Sequence, residues 1–141
     1  MKGSQMELIT QDQMQKLIRN GTHEERCKDH LPVVRLYTSH PQMEWLLAAI
    51  DPKEPHIAYG MYDLGLGSPE LGYFDLNELI QNSRNGWIIG IDPFFKPDRP
   101  ISAYFANATA LAAFRKEQEG IFYPKMDEPL NGDLSHLAYF Y

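Results

Sequence analysis

The chain is predicted to be an α+β domain: a predominantly antiparallel sheet of about five strands, with helices on one face. Two observations predict it. Between Pro32 and Phe74, four short runs of strand character follow one another, separated only by turn residues, which reads as a meander. Helical patterns at the start, middle and end of the chain then supply the second layer that a one-sided sheet needs. With 141 residues, 43% apolar and 23% charged, the chain has the size and composition of one domain with its own core.

The elements are taken in order. Met1 to Gln5 reads as a leader ahead of a second start at Met6. Thr10 and Gln13 have capping-box spacing; Met14, Leu17 and Ile18 fall on one helical face; Asn20-Gly21 supplies the stop. His23 to His30 is a charged connector. Pro32 to Thr38 is rich in β-branched residues and reads as the first strand, and Ser39-His40-Pro41-Gln42 as a turn. Glu44 to Asp51 has leucines and alanines that favour helix, but its shortness and the Asp51-Pro52 stop favour a strand paired back on the first. After the turn Pro52 to Pro55, His56 to Asp63 is a third strand. Ile57, Tyr59 and Met61 point one way; Ala58, Gly60 and Tyr62 point the other. Gly60 inside a strand predicts a bulge or a close approach by another backbone.

Leu64 to Pro69 is a glycine loop and Glu70 to Phe74 a fourth strand. Asp75 is placed as an N-cap with Glu78 in the first turn, Leu76, Leu79 and Ile80 as the buried side, and Asn85-Gly86 as the end. Trp87 to Ile91 is nearly continuous in apolar residues and reads as a central fifth strand. Asp92 to Pro100 holds three prolines and reads as a loop. Ser102 to Glu119, rich in alanine, is the longest helix, with Tyr104, Phe105, Ala108, Leu111, Ala112 and Arg115 on one face and Gly120 as its stop. Ile121 to Tyr141 is a tail with five aromatics, expected to pack on the domain, on a second copy or on a partner.

The net charge of −6 argues against a protein that grips a phosphate backbone, which needs a basic face. It permits a basic protein partner. Cys27 is alone, so the chain has no internal disulfide and no cysteine zinc site, as suits a reducing compartment. No apolar run approaches the roughly 20 residues that span a bilayer, and no signal peptide opens the chain. The expected location is the cytoplasm.

Motifs for chemistry are sparse. Gly65-Leu66-Gly67-Ser68-Pro69 lacks the lysine of a phosphate-binding loop and the third glycine of a dinucleotide fingerprint, and it leads into a strand. The histidines lack the spacing of a zinc helix, and no nucleophile elbow occurs. No catalytic residue, metal ligand set or cofactor is assigned. Asp51, Asp63, Glu70, Asp75 and Asp92 fall near strand ends; such acids gather a metal in some hydrolases and fill turns or cap helices in most folds. The candidate binding residues are Asp63 and Glu70, which bracket the glycine loop, Tyr73 in the adjoining strand, and Asp92. Glu70 is expected to accept from turn amides or a neighbouring basic side chain.

The order Pro32-Val33-Val34, Tyr37-Thr38, Trp45, Asp51, Gly60, Glu70-Leu71-Gly72-Tyr73-Phe74, Leu76, Glu78-Leu79, Asp92, Phe95, Pro97, Pro100-Ile101-Ser102 resembles the bacterial domain-of-unknown-function family 2958. The resemblance covers roughly Met6 to Tyr104. Its most specific piece is Glu-Leu-Gly-Tyr-Phe-Asp-Leu-Asn-Glu-Leu from Glu70. It implies an accessory protein of the kind carried on plasmids, phages and integrative elements, often beside antirestriction genes, with no established activity. Two departures stand out. Ala49 replaces an acid common in relatives, and Gly90-Ile91-Asp92 replaces Glu-Arg-Asp. Three functions are expected in consequence: an accessory protein acting through a protein partner, a metal-dependent hydrolase using the strand-end acids, or an acidic inhibitor of a host defence complex. A homodimer is compatible with each.

Overall fold

A computed structural model describes residues 8–83 and 88–127, with backbone alone at residue 83 and residues 120–127. The elements are α1 (Gln11–Asn20), β1 (Val34–Thr38), β2 (Met43–Ile50), β3 (Ile57–Asp63), β4 (Glu70–Asp75), α2 (Leu76–Ser83), β5 (Gly90–Ile91) and α3 (Ile101–Asp127). The five strands form one sheet in the order β4-β3-β2-β1-β5, and every neighbouring pair is antiparallel. The class is α+β, as the sequence predicts. The leader, the Asn85-Gly86 stop, Trp87 and the tail beyond Asp127 lie outside the described residues.

Helix α1 begins at a full capping box. The Thr10 hydroxyl accepts from the Gln13 amide at 3.1 Å, and the Gln13 side chain accepts from the Thr10 amide at 2.9 Å. Met14 and Leu17 face the sheet, buried. The helix stops at Gly21, where a Cβ would lie 2.0 Å from the Ile50 carbonyl oxygen. Glycine is needed there because the helix end rests on β2.

That contact sits beside a break in the sheet. The register between β2 and β3 shifts between Leu47 and Ala49, opposite Gly60. A bulge adds one residue to β2 and reverses the facing of the residues after it. Met43, Trp45 and Leu47 face one core, and after the shift Ile50 returns to that same core. A Cβ on Gly60 would lie 1.8 Å from the Leu46 carbonyl oxygen, so both predictions made for Gly60, bulge and close approach, hold at one place.

The sheet has a core on each side. Residues from α1 and α2 pack with Leu36, Trp45, Leu47 and Ala58. On the other side Ile101, Tyr104, Phe105 and Ala108 of α3 pack with Leu46, Ala48, Met61, Tyr59 and Leu71. The prediction of helices on one face therefore holds for α1 and α2, whereas α3 takes the opposite face. The reason lies in the strands: β2 and β3 carry apolar residues at both even and odd positions and need cover on both sides.

Two further expectations are corrected. The fifth strand is not central: among the described residues it is a two-residue edge strand, paired only with Leu36 and Tyr37 of β1. Its apolar run misled because Ile89 is buried while Ile88 is exposed. Gly120 does not end α3, which continues to Asp127. One glycine costs a helix only about 1 kcal/mol relative to alanine, too little to stop an alanine-rich one.

Candidate functional site

Helix α3 reaches the sheet tied at its start. The His30 carbonyl accepts from the Ile101 amide at 2.8 Å, and the Asp29 carboxylate accepts from the Ser102 amide at 3.2 Å and from the Ser102 hydroxyl. The Asp98 carboxylate accepts from Arg99 at 2.8 Å and from the Tyr104 hydroxyl at 3.0 Å, and the two together hold its pKa down to about 2. The first two turns of α3 then bury Ile101 and half-bury Tyr104, Phe105 and Ala108 against the sheet. From residue 109 to 119 the helix is largely exposed, and a cleft of about 950 Å³ opens beneath it.

Leu46 and Met61 contribute to the floor of this cleft. One wall is α3 with Tyr104, Asn107, Leu111 and Arg115; the other is the 39–42 turn and the glycine loop. The turn is held by buried Thr38, whose hydroxyl donates to the Pro41 carbonyl and accepts from the Met43 amide at 3.1 Å. The loop is set by Asp63, whose carboxylate accepts from the Gly65 amide at 2.9 Å. Gly65 and Gly67 have φ of 77° and 81°, the left-handed region that favours glycine. A Cβ on Gly67 would lie 3.0 Å from Lys116 Cε, so the loop seats against α3. At the rim, Leu66 is 80% exposed and Leu111 46%. An apolar rim of this kind is the usual mark of a contact surface.

The charges of the cleft are arranged in two ways. Arg35 is braced: its Nε lies 2.5 Å from Glu44, its Nη1 lies 3.2 Å from Asp92, and its guanidinium lies 4.9 Å from the Tyr37 ring centre. Arg115 has no hydrogen bond or ion pair among the described residues. It offers an unspent cation beside apolar side chains.

The four candidate residues are only partly brought together. Asp63 lines the cleft. Asp92 acts from behind it, bracing Arg35 and accepting from the Phe94 amide at 2.9 Å. Glu70 sits elsewhere: it accepts from the Tyr62 hydroxyl at 3.1 Å, on the face of Phe74. Burial and this carboxylate raise the Tyr62 pKa. The expected turn amides or basic neighbour of Glu70 are thus replaced by a cross-strand tyrosine. Tyr73 lies on the α3 side of the sheet but on its outer strand, edge-on to Tyr59 at 5.1 Å and 67% exposed.

Leu111 and Arg115 are read from the sequence only as members of one helical face, and Arg35, Glu44 and Leu66 are functional candidates that sequence reasoning misses. A charged residue in each strand of the first hairpin, Arg35 and Glu44, is the one signal that points to them. The strand-end aspartates share one task. Asp51, Asp63, Asp75 and Asp92 each accept from the amide two residues on, at 2.8–2.9 Å. Among the described residues, no group of three or more His, Cys, Asp or Glu side chains is placed to hold a metal ion. Among the same residues, no helix is long and apolar enough to cross a membrane.

The fold and cleft define an α+β domain whose open site lies between a sheet face and one long helix. The sequence model of the family described as protein of unknown function (DUF2958) matches residues 8–114, and the chain belongs to that family. The match extends past Tyr104, where the resemblance in sequence motifs ends, through the part of α3 that carries Leu111. No curated protein and no solved structure matches the chain.

Proposed function

We propose that the protein works by binding another protein through the cleft beneath α3, as an accessory factor of the kind carried on bacterial mobile elements. The observation that carries this reading is the pairing of two exposed apolar side chains at the rim, Leu66 and Leu111, with the unspent cation of Arg115. That combination suits a protein segment with an apolar anchor beside a carboxylate. The strand-end acids support binding over hydrolysis, because four of them are engaged by their own turns. The mobile-element setting comes from the family resemblance, and the single cysteine favours a reducing cytoplasm.

The test is capture of a partner from bacterial lysate by the wild type, Leu66→Asp, Arg115→Glu and a control at the distant Lys53→Glu. Binding lost in the two cleft variants and kept in the control supports the reading. Binding kept in all of them removes the cleft. Metal-dependent phosphodiester cleavage that disappears in Asp63→Asn would replace binding with catalysis.

A further inference from the structure

Among the described residues the sheet has one long open edge, and its chemistry is self-complementary. β4 is the outermost strand, six residues long, with no proline, lysine or bulge within it. Such edges are templates for another strand unless they are blunted. The phase of β4 fixes which groups face outward. The Leu76 amide donates to the His56 carbonyl at 2.7 Å, continuing the register Ile57↔Asp75 to Tyr62↔Glu70. Antiparallel pairs alternate, so Glu70, Gly72 and Phe74 bond to β3 while Leu71, Tyr73 and Asp75 turn their backbone groups to the open side.

We propose that β4 pairs with β4 of a second copy of this chain, antiparallel, about a two-fold axis at Gly72. This register sets Leu71 opposite the other copy's Tyr73, and Tyr73 opposite its Leu71. Each of these pairs exchanges two backbone bonds. At the ends of the strand Asp75 meets Pro69. Asp75, as N-cap of α2, has its carbonyl committed to the first helical turn, and Pro69 has no N–H to offer it. The Asp75 amide remains free for the Pro69 carbonyl, so about six backbone hydrogen bonds close the edge. On the α3 side, exposed Tyr73 covers Leu71 of the other copy, a favourable aromatic–aliphatic pair. On the other side, Glu70 meets Phe74 and Gly72 meets Gly72, so no acid stands opposite an acid. Among the described residues nothing lies within 4 Å of a Cβ built on Gly72, so the sheet face at the axis is open and leaves room for a side chain there. This contact does not rest on the cleft, which opens between α3 and the glycine loop.

Sedimentation equilibrium of the full chain, at concentrations up to about 1 mM, the weak end of specific affinity, tests the proposal. Hydrogen exchange at the Leu71 and Tyr73 amides is read alongside. The wild type is expected to reach twice the chain mass, with these two amides slowed as the protein is concentrated. Gly72→Lys sets two like charges face to face and is expected to stay at single-chain mass, with salt restoring part of the association. Tyr73→Pro removes an outward N–H that β3 does not use, and is expected to stay monomeric with its melting temperature within a few degrees of the wild type. A wild type at single-chain mass throughout would overturn the proposal. So would dimers that persist in both variants.

Discussion

Asn20 carries the junction that lets β2 change phase. A bulge leaves a strand carbonyl without a ladder partner, and here the Asn20 side chain donates to the Ala48 carbonyl at 2.9 Å. Asn20→Ala would leave that half-buried carbonyl unpaired. The expected loss is about 1–3 kcal/mol, read as a lower urea midpoint with unchanged slope. Asp98 gives a residue-level prediction in pH. Arg99 and Tyr104 lower its pKa to about 2 from an ordinary value of 3.8. Its contribution to stability is therefore complete above about pH 4 and lost as the pH falls through about 2. Asp98→Asn should flatten the dependence of the urea midpoint on pH in that window and leave it unaffected near neutrality. Because this carboxylate is exposed, the effect should also shrink with added salt.

At the scale of elements, the strands and the first two helices were legible because local chemistry and tertiary packing agree. Asp75 illustrates it: its carboxylate accepts from the Asn77 amide at 2.8 Å, at the start of α2, as an N-cap should. Asp75→Ala should lower stability by about 0.5–2 kcal/mol in chemical denaturation. The edge position of β5 was not legible, because a continuous apolar run cannot tell two-sided burial from an exposed Ile88 beside a buried Ile89. The length of α3 was not legible either, since a glycine stop is a weak signal against a strong helix former. The structure adds a difference within α3. Its first two turns lie on the sheet and the stretch from residue 109 to 119 is mostly exposed. Amide exchange should accordingly be faster over residues 109–119 than over 101–108. Exchange equally slow across both segments would show that something further covers the helix.

At the scale of the molecule, the cleft could not be read from the chain because its parts lie far apart in sequence. Its floor comes from residues 46 and 61, its walls from 39–42, 64–67 and 104–115. Sequence patterns reach Asp63 and Asp92; they show the helix wall as one face, Tyr104 to Arg115, but not as part of a site. Only the crossing of α3 over the far face of the sheet makes Arg115 and Leu66 neighbours of one space. The most direct measurement is the affinity of the captured partner for purified wild type, Leu66→Asp and Arg115→Glu, by calorimetry, with folding checked by thermal melts. Each cleft variant should bind about tenfold more weakly or worse, roughly 1.4 kcal/mol or more, with its melting temperature unchanged. Equal affinity for all three proteins would contradict the assignment of the cleft as the binding site.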